Sequence, residues 1–203
     1  MLTHHEAQWG RFRAWAGAIL TLAFCALTLN FTVAHAGASD QVGKAAATKS
    51  QRLAPHEERV RRLTRHIEDQ YSVPARRART IVDTSFAKGA ELRISPELIL
   101  AIIAVESTFR ERAVSRAGAR GLMQIVPKWH PEQIRDIGGA QALFDPRKNI
   151  HAGTQILAKY LHLSRGNMRN ALLRYNGSLK NPRSRYADKV LRRYRSLRQA
   201  SSV

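Results

Sequence analysis

Residues 98–110 read LILAIIAVESTFR, and their order decides the fold. Eight apolar residues in succession, Leu98 to Val105, leave a helix no polar face, so such a helix has to be enclosed on every side. The preceding Ser95-Pro96-Glu97 is a helix start: a serine at the N-cap, proline in the first turn and an acid near the positive end of the helix dipole. A central buried helix is therefore expected from Glu97 to about Thr108. It ends on a single carboxyl group, Glu106, which follows Ile103, Ile102 and Ile99 by three, four and seven residues and shares their face.

A carboxylate on an apolar face is costly unless it is paired, neutralised or used. Desolvation raises its pKa, and the negative end of the helix dipole acts in the same direction. A carboxyl that stays protonated near neutral pH is suited to general acid catalysis. The structural alternative is an ion pair with Arg110, four residues on, which would keep Glu106 ionised. Perturbed carboxyls are often structural, and the residues alone leave both readings open.

Around this helix the remaining pattern is mainly α. The segment from Pro55 to Gln70 places Val60, Leu63 and Ile67 at helical spacing on an otherwise charged surface. A second helix is expected from near Pro74, with Ala78, Ile81, Val82 and Phe86 inward, stopping at Gly89. Residues 111–132, ERAVSRAGARGLMQIVPKWHPE, are rich in small residues and closed by two prolines, which predicts loop or short hairpin. Later helices are expected over Asn149–Leu163, Met168–Tyr175 and Tyr186–Arg198, with no series of alternating strands.

The chain has 203 residues and a net charge of +19, from 34 basic and 15 acidic side chains. Nucleic acid, an anionic membrane surface and anionic wall polymers all suit that charge. The N-terminus narrows the choice: Arg11 and Arg13 precede an uncharged run from Ala16 to Leu29, followed by Ala34-His35-Ala36. A basic flank, a short apolar core and a small-x-small site predict an export signal over residues 1–36, cut after Ala36. The alternative is an uncleaved anchor between Ala14 and Ala38. Cleavage would remove Arg11, Arg13 and Glu6, leaving +18, and would also remove Cys25, the single cysteine. Export points to the periplasm or cell envelope, with an anionic extracytoplasmic polymer as partner. Residues 37–54 read as a flexible linker, 55–90 as an N-terminal helical extension and 91–198 as the domain that carries Glu106.

Other chemistries find no support. The histidines at 130, 151 and 162 lack paired metal spacing, and no G-x-S-x-G elbow or Gly-rich phosphate loop occurs. Thiol catalysis is excluded once Cys25 is gone. Arg61-Arg62 and Arg76-Arg77 lack interleaved aromatics, against a nucleic-acid platform. Glycoside hydrolysis wants two carboxylates across the bond. Glu111, Asp136 and Asp145 are available, each in a polar setting unlike that of Glu106.

Five ordered blocks give the chain a resemblance. Glu106-Ser107; AVSRAGARGLMQIVP from Ala113; Leu143-Phe144-Asp145-Pro146 with Asn149-Ile150-His151-Ala152-Gly153; Ala171 to Tyr175-Asn176-Gly177; and Tyr186-Ala187-Asp188-Lys189-Val190 are similar to the motifs of soluble-type lytic transglycosylases. The resemblance runs from Leu92 to Val190 and implies a goose-lysozyme-like helical domain that cleaves peptidoglycan glycan strands, with neither metal nor cofactor. By resemblance Glu106 is the catalytic acid and then base, beside Ser107. Ser115 and Tyr175 hold Glu106 or the substrate N-acetyl group, Met123 and Gln124 line the sugar subsites, and Asn176 and Tyr186 support the cleft. Structural alternatives stand beside these roles: Met123 as core filler, Asn149 as a helix N-cap, Gly118 and Gly121 as turn formers. Val126 departs from the family, many of whose members carry a methionine there, and this bears on subsite preference. The expected chain is monomeric, acts on glycan strands with a cell-envelope or secretion assembly as a further candidate partner, and does not bind nucleic acid. Wall remodelling, opening the wall for a secretion apparatus and service to a phage or plasmid stay open as roles. Its rivals are a non-catalytic wall-binding protein and a muramidase using Asp136 or Asp145.

Overall fold

The computed structural model describes residues 55–202. The signal or anchor segment and the linker over 37–54 lie outside the described residues. Helix α1 covers residues 55–71 and turns Val60, Leu63 and Ile67 fully inward. Glu58 on its outer face accepts from Arg61 and Arg62. Helix α2 (Ala75–Leu92) buries Ala78, Ile81, Val82 and Phe86. It passes through Gly89, where a stop was expected. A Cβ on Gly89 would meet the Ile94 carbonyl, and the Ile94 amide donates back to the Gly89 carbonyl. The glycine thus permits close approach of the next segment, and the helix ends at left-handed Arg93.

Helix α3 (Pro96–Glu106) is the enclosed central helix, its residues from Leu98 to Ile103 no more than 2% exposed. It stops two residues earlier than the apolar run suggested, because Thr108 and Phe109 are both left-handed, at φ 50° and 62°. Ser95 does not cap it with its side chain. The hydroxyl donates to the Glu97 carboxylate instead, which also accepts from Arg59 and Ser201. Glu97 is thereby buried with a full set of partners.

Residues 113–125 form the expected hairpin-like region, held by isolated antiparallel bridges Val114–Arg120 and Arg120–Ile125. A short helix α4 (Pro131–Asp136) follows, built on Pro131 and Glu132, the start signals that a reading of the region as loop passed over. Helix α5 (Pro146–Leu163) begins three residues before the expected Asn149, with Asp145 as the capping side chain. Helices α6 (Met168–Tyr175) and α7 (Tyr186–Ser202) complete the described chain. Helix α3 packs against α2 and α7, α2 packs on α5, and α5 on α6. The core residues of α1 and α2 join those of α3, α5 and α7 in one cluster. The expected border at residue 90 thus falls inside α2. Among the described residues no strand forms, and no helix is long and apolar enough to cross a membrane.

Candidate active site

Three chain segments converge where α3 ends. The α3 terminus presents Glu106, the first turn of α7 presents Tyr186, and the last turn of α6 presents Tyr175. The Tyr186 hydroxyl donates to Glu106 Oε1 at 2.6 Å. Burial pushes the Glu106 carboxyl up from 4.5 to about 7, against the opposing effect of that hydrogen bond. Both phenols are pushed well above their ordinary range, first by burial and then by the nearby Glu106 charge. They therefore remain neutral donors at any physiological pH.

The ion pair with Arg110 does not form. Left-handed Thr108 and Phe109 take Arg110 off the helix, and its Nε donates to the Ser107 carbonyl at 3.0 Å. Ser107 is buried, its hydroxyl returned to the Ile103 carbonyl. It secures the helix end that carries Glu106.

The hairpin region supplies the neighbouring wall. Gly121, at φ +75°, has no room for a side chain: a Cβ would strike the Leu143 carbonyl and the Asn149 amide. Asn149, fully buried, accepts from the Met123 amide at 2.8 Å and donates to the Arg120 and Leu143 carbonyls. It is a clamp inside α5, not an N-cap. Met123 is fully buried, packed where a Cβ on Gly153 would collide with it. Its thioether therefore lies in the core rather than along a subsite. Its carbonyl accepts from Tyr175 at 2.9 Å, which fastens α6 to the hairpin. Gln124 is left-handed, with its amide nitrogen bound to the Ala113 and Gly121 carbonyls.

From this wall a groove of about 420 Å³ runs between Gln124, Val126, Trp129, Tyr160, Tyr175 and Asn176. The structure thus unites Glu106 with Tyr186 and Tyr175, and places Gln124, Asn176 and Val126 along the groove. Ser115 stands apart: its hydroxyl accepts from the Ala119 amide and stitches its own turn. The hydrogen-bonding partner of Glu106 is Tyr186, where the motifs had suggested Ser115 or Tyr175. Trp129, Tyr160 and Arg174 were absent from the expected set. The signal for Trp129 was present in Pro127-Lys-Trp-His130, a lone indole in a polar loop. Tyr160 and Arg174 carried no local signal, since only the packing of α5 on α6 brings them together.

Residues 83–190, just over half of the chain, match the family described as Transglycosylase SLT domain. The chain belongs to this family. A membrane-bound lytic murein transglycosylase C of Yersinia pestis (strain Pestoides F) is 37% identical over 101 residues, covering 43% of this chain and 28% of the relative. The protein of the same name from Yersinia pseudotuberculosis serotype O:1b (strain IP 31758) matches to the same extent. The match thus spans little more than a quarter of these relatives' length. Among solved structures, the 70 kDa soluble lytic transglycosylase of Escherichia coli superposes with a TM-score of 0.56 at 22% identity, covering 69% of this SLT chain and 30% of that one. The fold is the lysozyme-like, mainly α fold that the sequence predicted.

Proposed function

We propose that the SLT domain cleaves the glycan strand of peptidoglycan between N-acetylmuramic acid and N-acetylglucosamine as a lytic transglycosylase, with Glu106 as its single acid and base. The observation that carries this reading is a buried carboxyl raised to about 7 and hydrogen-bonded to Tyr186, close to the Tyr175 that lines the groove. Protonated Glu106 gives its proton to the glycosidic oxygen as the bond to muramic C1 breaks. The substrate's N-acetyl carbonyl supports the positive charge at C1. The Glu106 carboxylate, steadied by Tyr186, then takes the proton from the muramic C6 hydroxyl while O6 bonds to C1. The product is a 1,6-anhydro end, and no water is consumed.

A second carboxylate is not required, and the candidates are engaged elsewhere. Glu111 lies 3.9 Å from Arg77, Asp136 pairs with His151 at 2.9 Å, and Asp145 caps α5. This disfavours the hydrolytic muramidase. The relatives' description as membrane-bound agrees with action in the cell envelope, and the +19 charge suits a carboxylate-bearing wall.

The test is mass spectrometry of fragments released from purified peptidoglycan. Anhydromuramic ends, lighter by one water than reducing ends, are expected, and Glu106→Gln should release none while still binding the wall. Reducing ends would make the protein a hydrolase. No release with binding intact would make it a wall-binding scaffold.

A further inference from the structure

The groove lined by Tyr175 contains two side chains that the proton chemistry does not use. Trp129 closes a short 3-10 turn over Pro127–Trp129, and its side chain is 69% exposed, the most exposed large apolar residue among those described. Lys128 Nζ lies 4.8 Å from the centre of the indole, over one of its faces. A cation there orients the ring and leaves the other face for a ligand. Arg174, in the last turn of α6, lines the same groove next to Tyr175. It forms no ion pair among the described residues, and its Nε is buried without a hydrogen-bond partner there. What sets it apart is its place: the buried donor belongs to a guanidinium that lines the groove. A guanidinium with an unsatisfied buried donor in the groove that holds the open indole is suited to a planar anion such as a carboxylate.

We propose that this part of the groove is a subsite for a carboxylate-bearing amino sugar, with the Trp129 indole under the sugar ring and the Arg174 guanidinium on the carboxylate. Pyranose rings present one face of C–H bonds, which packs on an indole as apolar surface does. The carboxylate is either the lactyl group of muramic acid or a carboxylate of its peptide stem, and a guanidinium suits both. Ile125, Val126 and Ile156 supply the apolar lining, and His130, kept mostly neutral by burial, adds no competing cation. The subsite rests on the reading of the groove as a glycan cleft. It deepens that reading by making the protein sensitive to the acidic substituent as well as to the sugar.

The test uses the full chain carrying Glu106→Gln, so that turnover does not interfere. Calorimetry measures binding of neutral chitotetraose, of a peptide-free GlcNAc–MurNAc tetrasaccharide with free lactyl carboxylates, and of the same tetrasaccharide bearing stem peptides. Adding Arg174→Gln should weaken the muramyl ligands by about tenfold, in line with loss of one charge-assisted contact, and chitotetraose by less than about twofold. Arg174→Lys should restore part of the loss. Trp129→Ala should weaken all three, with Trp129→Phe intermediate. A loss on the peptide-free ligand places the lactyl carboxylate on Arg174; a loss confined to the peptide-bearing ligand places the stem there. Equal losses on charged and neutral ligands, or no loss on any, would overturn the role of Arg174, and unchanged affinities in Trp129→Ala would overturn the platform. These variants leave the core untouched, and matching unfolding curves check that they fold. Because binding is read on an inactive protein, its outcome is independent of the wild-type product analysis, and either reading can fail alone.

Discussion

Replacing Glu106 by glutamine should make the protein more stable, by an amount that depends on pH in a defined way. Unfolded, the carboxyl titrates near 4.5; folded, burial holds it at about 7. Below pH 4.5 both states are protonated and the group has no effect on stability. Between 4.5 and 7 the unfolded chain has given up a proton that the folded chain keeps, so stability falls as pH rises. Above 7 the folded carboxylate is also ionised, and the penalty is fully present. At about 1.4 kcal/mol per pH unit it reaches about 3 kcal/mol. Glutamine has nearly the same shape and can still accept from the Tyr186 hydroxyl, so it mimics the protonated acid at every pH. Urea unfolding of both proteins at pH 4 and pH 8 should therefore show curves that nearly coincide in acid and differ by about 3 kcal/mol in base, with Glu106→Gln the more stable. Loss of activity together with gain of stability is the expected signature of a strained functional carboxyl. A difference that is flat with pH, or glutamine destabilising at pH 8, would refute the claim that desolvation holds the proton.

Tyr186→Phe removes the bond that lowers the Glu106 pKa. The alkaline limb of kcat/KM against pH, set by loss of the acid proton near 7, should shift up by about one pH unit, measured by initial rates on soluble glycan. Asn149→Ala leaves the Met123 amide and two carbonyls without their partner and should cost about 3 kcal/mol in chemical denaturation, with activity falling as the hairpin loosens. Arg59→Gln should cost about 1 kcal/mol at pH 7, a modest figure because the guanidinium is half exposed. Glu97 titrates below 4.5 when folded, so its contribution is present above that value and lost as pH falls, and the cost of Arg59→Gln should shrink in acid thermal melts.

The central helix was legible because eight consecutive apolar residues leave a helix no polar face, and its candidate site because a charge on such a face demands a reason. The amphipathic helices α1 and α2 were legible from their spacing, and the ranges expected for α6 and α7 nearly coincide with those observed. Boundaries were less so: Gly89 looks like a stop but serves close packing, and the end of α3 is set by two left-handed residues whose types, Thr and Phe, rarely adopt that conformation. Motif position pointed to Glu106, Gln124, Tyr175, Asn176 and Tyr186, but not to who bonds whom. That Tyr186 reaches Glu106 across 80 positions, while Tyr175 reaches the Met123 carbonyl, follows from how α6 and α7 lie against the hairpin and α3. Met123 looked like a subsite residue in the motif, yet Gly153 opens a socket in α5 that draws it inward.

Helix α3 carries a glutamate at each end, and the fold sets them to opposite protonation states. At Glu97, burial alone would raise the carboxyl, but donors from Ser95 and Arg59 outweigh it and hold the group as an anion. At Glu106 one phenol donor is outweighed by burial, and the group keeps its proton near neutrality. The anion sits where the helix dipole is positive and the neutral acid where it is negative, so the helix field reinforces both assignments. Acid strength here is a property of address rather than of residue type. To retune the proton affinity of Glu106, selection need never touch the glutamate itself; altering the number of donors at one end of a single rod is enough.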